Sequence, residues 1–147
     1  MTIGKLQDKL HTQIPLTKLM KLSIDSYKDN KLFTKAPLNV NINDKGTGFA
    51  GSLLTTATIS AWSVVYLLCE ELNYNPPIIA IVKNESTFNF PVTKDIYCVS
   101  YKPSSEQIEL LREKLKTKKS GSIKIKSQII EDEKVCLEFE GVYVVKL

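Results

Sequence analysis

The sequence predicts an α+β fold: a curved antiparallel sheet of about six strands wrapped around one long central helix, with short helices at the N-terminus. Three observations predict it. Residues 46–69 carry no charge, and their apolar side chains fall on nearly every face of a helix. Segments with strand patterning, bounded by turn residues, lie on both sides of that stretch. A helix that is apolar all round belongs inside a fold, so the sheet has to curl around it.

Before the central helix, Ile3, Leu6 and Leu10 recur at helical spacing and predict a short amphipathic helix that Pro15 interrupts. Thr17 is the expected N-cap of a second short helix ending near Leu22. Ile24 then opens a hairpin that turns at Asp29 and Asn30 and returns through residues 32–36, where Pro37 closes it. Asn39, Asn41 and Asn43 lead into a Gly-rich turn. Asn43 and Asp44 are turn formers, and Gly46 and Gly48 permit backbone angles that other residues resist. The helix that follows starts inside the protein. Its unpaired amides and positive dipole end face whatever Asn43, Asp44 and Thr47 enclose, which describes a pocket for a carbonyl oxygen or an anion.

Residues 73–77, with two asparagines and two prolines, predict the stop of that helix. Residues 78–90 read as a long strand, 91–95 as a turn, and 96–102 as its antiparallel partner. Ser104 opens a polar helix to about Lys118, with Ile108, Leu111 and Leu115 on one side, and Gly121 ends it. Residues 123–130 and 135–145 are the last strands, joined across residues 131–134. With no internal repeat, a single domain over residues 1–147 is expected. This arrangement is that of a hot-dog fold.

An apolar share of 43%, a charged share of 24% and a net charge of +4 are ordinary for a soluble protein. The uncharged run is long enough to span a bilayer, but Thr47, Ser52, Thr55, Thr56, Thr58, Ser60 and Ser63 lower its hydropathy, and membrane insertion is not expected. The first residues lack the apolar segment of a signal peptide, so cytoplasm is the expected location. Lys114, Lys116, Lys118, Lys119, Lys124 and Lys126 either form a solvated face or attract an acidic partner. They are not interleaved with aromatics, so nucleic acid is not an expected partner. Cys69, Cys98 and Cys136 lie far apart without C-x-x-C spacing and read as reduced core residues. His11 is the only histidine, on a short helix before Pro15, where a catalytic role is not expected. No cluster of metal-ligating residues is visible, so neither metal nor cofactor is expected.

Residues 43–52, N-D-K-G-T-G-F-A-G-S, resemble the N-x-x-G-T-x-F-G-G-S signature of hot-dog thioesterases. Residues 86–95, S-T-F-N-F-P-V-T-K-D, resemble the stretch that ends in P-V-x-x-D in the same proteins. Residues 36–52 as a whole are similar to the thioesterase domain that forms the C-terminal half of the bacterial YiiD proteins. The likeness runs from about Ile14 to the end. It implies a homodimer, or a tetramer of two dimers, with active sites at the subunit interface. It also implies an acyl thioester of coenzyme A or acyl carrier protein as substrate. Thr47, Gly48, Phe49, Ala50, Gly51 and Ser52 would bind that substrate, the amides at the helix start holding the thioester oxygen as charge builds on it. Asn43 would orient the reacting group or a water.

One position departs from the family pattern. Many hot-dog thioesterases carry a carboxylate on the central helix seven residues after the second glycine of the signature; counted from Gly51, that position here is Thr58. Two reactions stay open. Hydrolysis would draw on Asp44 as base, or on Asn43 and Thr58 as positioners. Decarboxylation of a malonyl thioester needs no base: carbon dioxide departs, an enolate remains on the thioester oxygen, and the amides stabilise it. A neutral Thr58 hydroxyl paired with Asn43 suits this chemistry, and some relatives resemble malonyl-carrier-protein decarboxylases. An acyl-binding module without catalysis is the reading from a different class.

Overall fold

The computed structural model describes residues 1–75 and 77–147. In chain order its elements are α1 (Ile3–Gln13), α2 (Pro15–Leu19), β1 (Ser23–Lys28), β2 (Lys31–Ala36), α3 (Ala50–Glu71), β3 (Ile78–Phe88), β4 (Ile96–Tyr101), α4 (Ser105–Lys118), β5 (Ser120–Glu131) and β6 (Lys134–Lys146). The six strands form one antiparallel sheet in the order β1-β2-β4-β5-β6-β3. α3 lies in its concave face, with residues from Leu53 to Cys69 buried along most of its length. By length and composition α3 could cross a membrane, yet most of it is enclosed by this sheet. Buried hydroxyls on α3, β4 and β5 pair with one another or with the helix backbone: Ser100 Oγ donates to Ser60 Oγ at 2.7 Å, and Ser127 Oγ donates to the Ala57 carbonyl at 3.4 Å, while Thr34 Oγ1 and Asn41 Oδ1 have no partner among the described residues.

Local chemistry explains the boundaries. The β1–β2 and β5–β6 turns are Asp29-Asn30 and Asp132-Glu133, all four with positive φ, the conformation whose twist matches a two-residue hairpin. Ser104 and Gln107 form a reciprocal capping box that starts α4. Three expectations need correction. Thr17 is no N-cap: α2 begins at Pro15, whose fixed φ and missing N–H suit a first helical position, and the buried Thr17 hydroxyl donates to the Ile14 carbonyl at 2.8 Å. Gly121 does not end α4. Lys119, at φ 59°, makes the left-handed stop, and Gly121 lies in β5, where a Cβ would stand 3.0 Å from Leu111 Cδ1 and 3.1 Å from Lys114 Cβ. The stop expected at residues 73–77 does begin with Asn73 at φ 65°, while Pro76 lies outside the described residues.

The third correction matters most for the site. β3 does not pair with β4; it pairs with β6, from Ile78 opposite Lys146 to Phe88 opposite Leu137, and β4 lies between β2 and β5. Residues 89–95 therefore cross the end of the β5–β6 hairpin. The crossing spans three strand spacings, about 14 Å, well within the roughly 23 Å that seven extended residues reach. Glu131 pins it: its carboxylate accepts from Thr93 N at 3.0 Å, Lys94 N at 2.8 Å and Thr93 Oγ1 at 2.7 Å. A turn-rich segment between two strands looks like a hairpin in sequence; here side-chain capping holds it as a bridge.

Candidate active site at the tip of the central helix

The turn before α3 is closed by one side chain. Asn43 Oδ1 accepts from Lys45 N at 2.8 Å and Thr47 N at 3.0 Å, while Nδ2 donates to Thr47 Oγ1 at 2.8 Å and the Gly48 carbonyl at 3.4 Å. Both ends of the Asn43 amide are thus occupied inside the turn, as is the Thr47 hydroxyl. Gly46, at φ 79°, adopts the left-handed conformation the turn requires. Gly48 is buried, and its amide donates to the Val92 carbonyl at 2.7 Å; a Cβ there would stand 3.1 Å from Val92 Cβ. The Phe49 amide donates to the Asn41 carbonyl at 2.8 Å.

Three amides then remain. Phe49 is the N-cap of α3 with no side-chain cap bond, and the first helical bond runs from Leu53 N to the Phe49 carbonyl at 2.9 Å. Among the described residues, the N–H groups of Ala50, Gly51 and Ser52 have no acceptor. Ala50 and Gly51 are exposed and Ser52 is half-buried. The Phe49 ring lies against Gly51, its Cε2 2.5 Å from where a Cβ would be, so a larger residue at 51 would push the exposed ring aside. The helix dipole adds positive potential at this end. In a single chain the tip opens on the surface. Hollows elsewhere, such as one of about 310 Å³ between Phe33, Tyr97 and Ile130, lie on other faces.

Thr58 stands two turns down α3, half-buried, with Oγ1 donating to the Leu54 carbonyl at 2.8 Å rather than pairing with Asn43, whose amide bonds lie within the turn; its own carbonyl accepts from Tyr143 Oη at 2.7 Å. Carboxylates near the tip have partners. Asp44 pairs with Lys45 Nζ at 2.9 Å on an exposed loop, and Asp95 accepts from Leu38 N at 2.9 Å. His11 Nε2 contacts the Leu22 carbonyl at 2.7 Å, in the N-terminal region. The cysteines are free and buried. Among the described residues no group of His, Cys, Asp and Glu is arranged to hold a metal.

Two residues that hold the tip had no sequence signal. Asn41 is buried, and its Nδ2 donates to the Met20 carbonyl at 3.0 Å and the Pro37 carbonyl at 2.8 Å, anchoring the strand of backbone that receives Phe49. Glu131 acts through Thr93 and Lys94 on Val92, and Val92 on Gly48. Glu131 depends on the crossing of residues 89–95, and Asn41 on the approach of Met20, neither of which local pattern reveals.

An antiparallel sheet in this order, wrapped around a buried helix whose first amides open beside a Gly-rich turn, defines a hot-dog protein. The chain belongs to a thioesterase family: the family model described as "Putative thioesterase (yiiD_Cterm)" matches residues 3–147. Among similar solved structures, a protein of unknown function from Chlorobaculum tepidum is 29% identical with a TM-score of 0.91, over 97% of this chain and 93% of that one. A "putative thioesterase" from Shewanella oneidensis is 28% identical with a TM-score of 0.86, over 99% and 97%. A thioesterase from Haemophilus influenzae is 10% identical with a TM-score of 0.74, over 99% and 90%, a likeness of fold alone.

Proposed function

We propose that this chain hydrolyses acyl thioesters of coenzyme A or acyl carrier protein, as a cytoplasmic homodimer. The observation that carries the reading is the set of free amides on Ala50, Gly51 and Ser52, in a member of a thioesterase family. A thioester carbonyl seated there gains negative charge when water attacks its carbon. The preset N–H groups stabilise that oxyanion, each donor contributing on the order of 3 kcal/mol. The C–S bond then breaks, and the thiolate leaves to take up a proton. Asn43 acts by fixing the turn that aims these amides. Asp44 is the carboxylate adjoining that turn and the candidate base.

A second protomer completes the site in this reading. The outer edge of β3 is unpaired along residues 78–88, with Ile78 66% and Val82 61% exposed. Such an edge is a template for strand addition. Two copies paired there about a two-fold axis would extend the sheet and bring a partner surface to the open side of α3.

Decarboxylation of a malonyl thioester is the second reading. It is favoured by the neutral Thr58 and by the partners already held by Asp44, Asp95 and Glu131. One experiment separates the classes: acetyl, longer acyl and malonyl thioesters are incubated with the protein while thiol and carbon dioxide are followed in parallel. Thiol release marks the hydrolase, and carbon dioxide without thiol marks the decarboxylase. Binding with neither product marks an acyl-binding module and overturns both catalytic readings.

A further inference from the structure

Three hydroxyls of α3 are buried, at Thr56, Ser60 and Ser63. Thr56 and Ser63 each donate to the carbonyl one turn back at 2.8 Å, so the helix itself satisfies them. Ser60 is tied to the sheet instead. Its Oγ accepts from Ser100 Oγ of β4 at 2.7 Å, and Ser100 Oγ in turn meets Ser127 Oγ of β5. Ser127 closes the string by donating to the Ala57 carbonyl at 3.4 Å. A single turn of α3 is thus held at a side chain and at a backbone oxygen, from two strands. On the β6 side Tyr143 Oη donates to the next carbonyl, that of Thr58, at 2.7 Å. The three serines and Tyr143 are fully buried.

Replacing every member of a buried hydrogen-bonded string by apolar groups is close to neutral for stability, so what the string adds is direction. Apolar burial is non-directional, and α3 is apolar on nearly every face. Ala57 and Ala61, both fully buried, lie a turn apart on one side of it. Small slides along the axis therefore change its apolar packing gradually. Hydrogen bonds fail within a few tenths of an ångström. They mark one height for the helix.

Height matters at the tip. From Ala57 back to Ser52 is about 7.5 Å of continuous helix, so a slide of α3 passes undiminished to the amides of Ala50, Gly51 and Ser52. An oxyanion donor has to stand about 2.7–3.1 Å from the developing charge, and a misplacement of about 1 Å costs about 100-fold in rate. We propose that Ser60, Ser100 and Ser127 are positioning residues for the thioester reaction: from the middle of the core they fix the height of α3 and through it the aim of the tip amides. The inference rests on the thioester reading above.

Two variants separate positioning from stability. Ser100→Ala leaves the Ser60 hydroxyl without its sheet partner and should lower the melting temperature. The triple variant Ser60→Ala, Ser100→Ala, Ser127→Ala removes donors and acceptors together and should recover most of that loss. Its kcat on the preferred thioester should nevertheless stay about 10-fold or more below wild type, with KM within about twofold. Ser127→Thr keeps the hydroxyl and should keep kcat. In nitrogen-15 spectra of the ligand-free triple variant, the Ala50, Gly51 and Ser52 amide resonances should move or broaden. Unmoved tip resonances overturn the proposal, as does a kcat that returns to wild type along with the melting temperature. A triple variant that does not fold overturns it too, since the hydroxyls would then serve the fold itself. If wild-type protein turns over no thioester, the catalytic reading fails alone, and the tip resonances still decide the positioning.

Discussion

Asn43 shows how one side chain shapes the turn that leads into α3. Its amide closes the turn through four hydrogen bonds, and an alanine there leaves the Lys45 and Thr47 amides to water and loosens the turn that precedes the α3 tip. Asn43→Ala should lower kcat on the preferred thioester by about 100-fold while thermal unfolding stays cooperative, because misaligned oxyanion donors cost what missing ones do. Unchanged turnover would remove the turn from the mechanism. Cys98 reports on the core. Burial pushes its thiol from 9.0 up to about 11, against the lowering effect of Ser60, Thr34 and Ser100. The unfolded chain releases this proton near pH 9 and the folded chain only near 11, so its share of stability is intact below pH 9 and drains away between 9 and 11. That share is on the order of 2–3 kcal/mol. Urea unfolding at pH 8 and pH 11 should show a smaller drop in Cys98→Ala than in wild type; equal drops would contradict the burial.

At the scale of elements, α3 was legible because its chemistry is local: an uncharged run too long for a strand, a Gly-rich entrance and an asparagine exit. The two hairpins with Asp-Asn and Asp-Glu turns were equally readable, since residue type, period and turn lie within a few positions. The partner of β3 was not. Its true neighbour, β6, lies some fifty residues on, and the carboxylate of Glu131 that bends residues 89–95 across the sheet resembles any other turn acid. The same limit applies at the tip. The family resemblance implies substrate binding by residues 47–52 with the oxygen-holding amides near Phe49 to Ser52, whereas Val92 and Asn41 take the amides of Gly48 and Phe49. α3 also offers a clean substitution. Ala50 is its first helical residue and Phe49 before it has φ −67° and ψ 128°, angles compatible with a following proline. Ala50→Pro should delete one donor and keep the helix, leaving the melting temperature within a few degrees and cutting kcat by about 100-fold. Wild-type kcat in a folded variant would exclude the Ala50 amide as a donor.

For the whole molecule the decisive feature is asymmetry around α3. On the β1 side, α1 covers it: the Met1 ammonium meets Glu70, and Lys9 Nζ sits 5.6 Å from the Tyr66 ring centre. On the β3 side no helix among the described residues does, and β3 is the edge strand of the sheet. Val82→Asp places a charge on that edge and should shift the assembly toward monomer in light scattering, with activity falling in step; a monomeric wild type would contradict the role of a second copy. The amides of Ala50, Gly51 and Ser52 are the element on which every step above converges, and they can be watched one by one. A nitrogen-15-labelled sample is titrated with a ketone analogue of acyl-coenzyme A, in which a methylene separates sulfur from the carbonyl. Downfield amide proton shifts are expected at one or more of these three residues, larger than elsewhere on the chain. Saturated binding that leaves all three resonances in place would contradict it.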